Sequence, residues 1–267
     1  MNYRFTVCPL LETAGDILRS AVDVERSGCV SEKGADAANL VTRYDTAVQE
    51  YLLRELSARY PGTCFLAEEQ ENDPTVLNAE RCFVIDPIDG TANFIHGYRR
   101  SVISLAMLEG GVTTFAAIYD PYLAEMFTAE RGGGAMLNGE PIRVSPRIPE
   151  HAMTSFGTCP YYKDTLGTPT FRLAESLYRK TRDVRRAGAA ALDLAYVAAG
   201  RCDIFFELLL SPWDIAAGIL LVEEAGGRVT DLDGTPLSLA APTPVLASNA
   251  VCHDFLMAEA AAACRGE

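Results

Sequence analysis

The sequence predicts a mixed α/β (α+β) fold, layered as an α/β/α/β/α sandwich. Three patterns point there. Amphipathic helical stripes bracket apolar runs too short to be helices. The middle of the chain strings together strand-like runs as in an antiparallel meander, with a hairpin turn signal at Asn138-Gly139. The second half alternates helix and strand. Without repeats or a low-complexity linker, residues 1–267 read as one domain. Its α+β half spans 1–150 and its α/β half 151–267.

The elements follow in order. A helix is expected over 8–24, with Leu10, Leu11, Ala14, Ile17, Leu18 and Ala21 on one face. Residues 27–39 are small and polar and read as a loop. A second helix is expected over 45–60, striped by Val48, Tyr51, Leu52, Leu56 and Tyr60 and stopped by Pro61-Gly62. Buried strands are expected at 64–67 and 82–85, and the meander at 101–108, 113–119 and 125–128. Gly132-Gly133-Gly134 lacks the lysine of a P-loop and any following helical pattern, so it reads as a turn. Helices at 170–179, 189–199, 211–225 and 253–264 then alternate with strands at 184–186, 204–207, 227–230 and 244–247. Ser211 is the expected N-cap of the third of these helices, with Pro212 in its first turn.

The chemistry concentrates at Asp86-Pro87-Ile88-Asp89-Gly90-Thr91-Ala92-Asn93-Phe94. An apolar run ends in two aspartates on a turn stiffened by Pro87. Paired carboxylates in that setting suit a hard divalent cation, although Asp-Pro and Asp-Gly are also ordinary turn dipeptides. Backbone N–H groups of Gly90 and Thr91 at a helix start suit a phosphate. Further carboxylates close apolar runs at Glu68-Glu69 and Glu207, where solvated charges would fit equally well. Asp45 stands where a helix dipole favours an acid, and Asp214 stands three residues after Ser211, as in a capping box.

The stretch from Asp86 to Phe94 resembles the D-P-I-D-G-T-x-N-F signature of the inositol monophosphatase family of Mg²⁺-dependent phosphatases. Trp213 to Gly218 resembles its second signature, W-D-x-A-A-G, and Gly226-Gly227 follow where the family has E-A-G-G. The similarity runs in order from about Leu40 to Asn249. It implies the layered architecture of the inositol monophosphatase and fructose-bisphosphatase type, two or three Mg²⁺ ions, and one coherent site. Glu68, Asp86 and the Ile88 carbonyl match a first metal site. Asp86, Asp89 and Asp214 match a second, and Glu68 also matches a weaker third through water. Thr91 and Glu68 would position the attacking water, with Asp45 holding the Thr91 hydroxyl. Gly90 and Thr91 amides would hold phosphate oxygens. Glu207 would accept from substrate hydroxyls, and Gly188 to Ala190 would line the alcohol side.

Some positions depart from the family pattern. Ala67 replaces a glycine, Ala189 a hydroxyl residue, and Ser211 stands where some members carry a histidine. Arg99-Arg100 replace an apolar or aromatic pair, and could face a partner subunit, solvent or a second anionic group. The resemblance implies a phosphomonoesterase for a small phosphorylated polyol or sugar, with inositol monophosphate the first candidate. The alternatives are fructose 1,6-bisphosphate, histidinol phosphate, an adenosine bisphosphate (disfavoured by Ala92), or a regulatory binding protein keeping the fold, as some bacterial relatives do with transcription machinery. A homodimer is implied by resemblance alone.

Composition narrows the partners. A net charge of −13 argues against nucleic acid. Eight cysteines form no C-x-x-C pair, so zinc is not expected. Cys64, Cys82 and Cys202 lie in or beside apolar runs and read as buried reduced thiols, which suits the cytoplasm. Three histidines share no spacing, and His96 reads as a loop residue making a local hydrogen bond. No signal peptide or membrane span is expected.

Overall fold

The computed structural model describes residues 3–21, 24–26, 28, 30–32 and 40–265. Helix α1 (Tyr3–Arg19) opens the chain, followed by β1 (Val30–Glu32), β2 (Leu40–Thr42), α2 (Arg43–Arg59), β3 (Cys64–Ala67) and β4 (Arg81–Asp89). A short helix α3 (Thr91–Ile95) leads into β5 (Val102–Glu109), β6 (Val112–Asp120), β7 (Glu125–Glu130), β8 (Gly134–Leu137) and β9 (Glu140–Ile142). The second half holds β10 (Met153–Phe156), α4 (Lys163–Lys180), β11 (Asp183–Arg185), α5 (Ala190–Ala198), β12 (Ile204–Leu210), α6 (Pro212–Glu224), β13 (Arg228–Thr230), β14 (Thr243–Ser248) and α7 (His253–Arg265).

Among the described residues these build five layers. Helices α1 and α2 cover one face of a seven-stranded sheet, β3-β4-β5-β6-β7-β8-β9, antiparallel except for the parallel pair β3–β4. Helices α5 and α6 fill the middle, against a five-stranded mixed sheet ordered β11-β10-β12-β14-β13. Helices α4 and α7 close the far side. Each sheet buries both faces, so three apolar clusters form. The central one carries Leu192, Leu194, Ile215 and Leu220 between the sheets. This is the expected α/β/α/β/α layering.

Several boundaries moved. Helix α1 begins five residues before the expected start because Tyr3 and Val7 extend its buried stripe. Pro9 lies inside the helix, where it lacks the N–H that would otherwise pair with the Phe5 carbonyl. The helix stops at Arg19, and Val24–Arg26 form a separate 3₁₀ turn. Residues 30–32, expected as loop, pair antiparallel with β2, while 27, 29 and 33–39 lie outside the described residues. Helix α4 starts before Pro169 rather than after it. Strand β10 was not anticipated: its Thr154 and Ser155 are fully buried in the interior of the sheet, which disguises it in a hydropathy reading.

The Gly132–Gly134 segment is a turn. The Gly132 and Gly134 amides donate to Glu224 Oε1 and Oε2 at 2.7 and 2.9 Å, so a carboxylate of α6 occupies the place a phosphate would take. Asn138 and Gly139 both have positive φ in the turn between β8 and β9, as their dipeptide predicts. Cys82 and Cys202 are buried free thiols, and Cys64 is half-buried. Among the described residues no helix is long and apolar enough to cross a membrane.

Candidate functional site

Strand β4 delivers the two aspartates. Its pairing with β5 slips between Asp86 and Asp89, so a bulge spans Pro87 and Ile88. Proline has no N–H to give to the ladder, and the bulge absorbs that deficit while re-aiming the side chains around it. The Ile88 amide donates to Asp86 Oδ1 at 3.0 Å. Gly90 then turns the chain at φ 88°, where a Cβ would lie 2.8 Å from the Arg100 carbonyl oxygen, and α3 starts at Thr91.

Neighbouring segments converge on this turn. Glu68 follows β3, its amide donating to the Ile85 carbonyl at 3.2 Å. Asn72 closes the loop behind it by pairing both ways with the Ala67 backbone, and Gln49 of α2 accepts from the Glu69 amide at 2.9 Å. Asp45 is fully buried. Its Oδ2 accepts from the Thr42 amide and hydroxyl at 2.8 and 2.6 Å, which caps α2, and its Oδ1 lies 3.1 Å from the Thr91 hydroxyl. That hydroxyl is also 3.0 Å from the Ile88 carbonyl. Asp45 therefore ties the start of α2 to the Thr91 hydroxyl. Asp214 fills the capping position that its spacing from Ser211 suggests, its Oδ2 accepting from the Ser211 amide at 2.7 Å at the start of α6.

Asp89 reaches across the molecule. It accepts from the Ala190 and Ala191 amides at 3.1 and 2.7 Å, capping α5, whose own N-cap Ala189 has no side-chain acceptor. Glu207 lies on β12 just before that strand's register shift, where its Oε1 accepts from the Cys159 amide at 2.8 Å.

Glu68, Asp86, Ile88, Asp89, Gly90, Thr91, Gly188, Ala190, Glu207 and Asp214 thus line a single cleft of about 260 Å³. Asp45 stands behind it through Thr91. A recess of about 340 Å³ shares Glu68, Glu207 and Asp214 and adds Ser211 and Trp213. The Ala190 amide is engaged by Asp89, so this residue presents its Cβ to the cleft rather than its N–H.

Electrostatics suits a cation here. Burial, then the charges of Glu68, Asp89 and Asp214, raises the Asp86 carboxyl well above the usual range, and Asp86 shares a hydrogen bond with Glu68. Burial also pushes Asp214 up, and lifts Asp89 to about 7 despite its backbone donors. Carboxyls packed this closely need a proton or a cation between them. Among the described residues no three such side chains are already gathered around one point. The donor set, all oxygen and mostly carboxylate, fits Mg²⁺ rather than zinc.

A family model described as the inositol monophosphatase family matches residues 2–265. The chain belongs to this family. The inositol monophosphatase family is one of metal-dependent phosphatases. The chain is 40% identical over 258 residues to the Nus factor SuhB of Pseudomonas aeruginosa, covering 93% of this chain and 94% of that protein. It is 39% identical over 224 residues to a fructose-1,6-bisphosphatase/inositol-1-monophosphatase of Thermotoga maritima, covering 84% and 83%. The solved structure of an IMPase from Thermotoga maritima superposes with a TM-score of 0.89 at 34% identity, covering 100% of this chain and 99% of that one.

Three cleft residues, Asp193, Gly157 and Arg186, carry chemistry that the sequence motifs do not single out. Asp193, on α5, is 2% exposed and hydrogen-bonded to Ser155, and burial raises its carboxyl well above the usual range. Its signal was present as a lone carboxylate within Ala190-Ala191-Leu192-Asp193-Leu194-Ala195. Gly157 abuts Glu207, and a Cβ there would lie 1.8 Å from Glu207 Oε2. Asn93 ties α3 to the second half, donating to the Arg100, Ala187 and Gly188 carbonyls at 2.7–3.2 Å. The pair Arg99-Arg100 lies elsewhere. Arg100 donates to the Tyr196 hydroxyl at 2.7 Å, and Arg99 borders a separate cavity of about 600 Å³ beside α1 and α3.

Proposed function

We propose that this chain is a Mg²⁺-dependent phosphomonoesterase acting on a small polyol or sugar phosphate, with inositol monophosphate the first candidate. The observation that carries this reading is the meeting of Glu68, Asp86, Asp89 and Asp214 with the Gly90-Thr91 turn in one cleft. Glu68, Asp86, Asp89, Asp214 and the Ile88 carbonyl would hold the ions. When bound, these neutralise phosphate charge and make water acidic enough to attack at neutral pH. The protein supplies the rest. Thr91, aligned by Asp45 and the Ile88 carbonyl, orients a water beside Glu68. Amides of Gly90 and Thr91 hold phosphate oxygens in line with it. Glu207 accepts from hydroxyls of the leaving alcohol.

The test is phosphate release from a panel of small phosphomonoesters. Release is expected with Mg²⁺, lost with EDTA and restored by added Mg²⁺. Ca²⁺ should inhibit, since its larger radius and looser geometry spoil a near-octahedral site. Activity unchanged by thorough chelation would sink the mechanism.

A second reading rests on the 40% identity to a protein named as a Nus factor: a regulatory binding protein that keeps the fold. It requires no turnover, so a panel without phosphate release would favour it. The homodimer implied by resemblance is read by light scattering.

A further inference from the structure

Arg186 is the one basic side chain among the described residues lining the cleft, where it stands among six carboxylates. It follows β11 and lies on the alcohol side, close enough to Glu207 and Asp193 to favour their ionised forms. It pairs with neither. Among the described residues its one hydrogen bond runs from Nη2 to the Thr158 hydroxyl at 3.2 Å. A guanidinium carries five N–H donors, so most of its fork is left for something else.

The position is built rather than incidental. The guanidinium lies over Gly188, where a Cβ would come within 2.5 Å of Nη1 and 3.1 Å of the guanidinium carbon. Gly188 itself has φ +86°, a conformation that a larger residue would strain. Asn93 grips the carbonyls of Ala187 and Gly188 and so fixes the backbone beneath the arginine. Beside it, Ala189 offers the cleft only a methyl group where a hydroxyl would suit a neutral polyol.

We propose that Arg186 binds a second anionic group of the substrate, so that the preferred substrate carries a phosphate or carboxylate on the alcohol portion in addition to the phosphate that is cleaved. This rests on the phosphatase reading above and narrows it. The cleaved phosphate goes to the Gly90-Thr91 end. The leaving alcohol extends toward Glu207 and Gly188, and its anionic substituent reaches the planar fork, which suits two parallel N–H···O contacts. An acidic protein offers such an anion no help from its overall field, so a local cation has to recognise it.

The test compares kcat/KM for fructose 1-phosphate and fructose 1,6-bisphosphate in wild type, Arg186→Gln and Arg186→Lys. Wild type should favour the bisphosphate by roughly ten- to hundredfold, the size of one charge-assisted contact. Arg186→Gln should bring the ratio to near one, with Arg186→Lys between. The wild-type preference should also shrink as salt is raised, because the guanidinium is exposed. A wild-type ratio near one overturns the proposal. So does an Arg186→Gln variant that loses equally on both substrates, since the arginine would then serve only to keep Glu207 charged. If neither compound is hydrolysed, the phosphatase reading is judged on the phosphate-release panel above. Calorimetric binding of the two compounds in Ca²⁺ then decides for Arg186: tighter binding of the bisphosphate, abolished by Arg186→Gln, supports it, and equal binding overturns it.

Discussion

The Thr91 hydroxyl lies 3.1 Å from Asp45 Oδ1, joining residues 46 positions apart. The other oxygen of Asp45 caps α2 through Thr42, so the helix end and the hydroxyl are held by one buried carboxylate. The hydroxyl has a single proton and two acceptors, Asp45 and the Ile88 carbonyl. Its lone pairs remain for a water in the cleft.

That geometry separates Thr91 from Asp45 in mutants. Thr91→Val keeps shape and removes the hydroxyl. Turnover should fall by about two to four orders of magnitude, as for loss of a proton-handling group. The thermal midpoint should move little, and Thr91→Ser should recover most of the rate. Asp45→Ala should lose both activity and stability, the latter by about 0.5–2 kcal/mol for a lost cap. Full activity in Thr91→Val would remove Thr91 from the reaction.

Asp89 also carries two roles. Asp89→Asn should abolish phosphate release and the rise in thermal midpoint that Mg²⁺ gives the wild type. Without metal its midpoint should stay within a few degrees of wild type. The amide oxygen still accepts one N–H of α5, and relief of repulsion in the acidic cleft offsets the loss of the other. Asp89→Ala should be less stable than Asp89→Asn, because the Ala190 and Ala191 amides then lose their partner. Equal midpoints for the two variants would show that the cap contributes nothing.

Glu207 should act on the alcohol and not on the ions. It is better tested as Glu207→Gln than as alanine, since truncation would open a hole against Gly157 and strand the Cys159 amide. With inositol monophosphate the glutamine variant should lose roughly ten- to hundredfold in kcat/KM. With an aryl phosphate lacking hydroxyls the loss should be much smaller. Equal losses on both would place Glu207 in support of the metal cluster.

The parts of the site legible in sequence were those written contiguously. Asp86 to Phe94 states its turn, its carboxylates and its helix start within nine residues, and Ser211 to Asp214 states a cap. What stayed hidden depends on chain segments meeting at long range. Nothing near Asp89 announces that it caps a helix 101 positions later. Nothing near Arg186 places it in one cleft with Asp86 and Asp89, or sets the backbone beside it against Asn93 of the first half. Layering was readable from the alternation of stripes and runs, whereas β10 was not, because Ser155 of its short buried run turns a hydroxyl toward Asp193 of α5.

His253 supplies a prediction about pH that is independent of the cleft. It begins α7 fully buried, with Nε2 3.0 Å from the Thr230 hydroxyl and Nδ1 2.9 Å from the Ser248 hydroxyl. Burial, helped by the nearby charge of Arg228 and opposed by Asp254, lowers its pKa from 6.5 to about 4. The folded protein therefore refuses a proton that the unfolded chain accepts below pH 6.5. Stability from this group is whole above 6.5 and drains away as pH falls toward 4. Between pH 7.5 and 5 the wild-type thermal midpoint should fall relative to that of His253→Gln, which has no ring to titrate, while the cleft carboxyls raised by burial shift both proteins alike. The His253 ring proton, followed by NMR and assigned by its absence in that variant, should show no titration above pH 5. A midpoint near 6.5 would mean that the ring protonates in place, and that the acid sensitivity of the fold arises elsewhere.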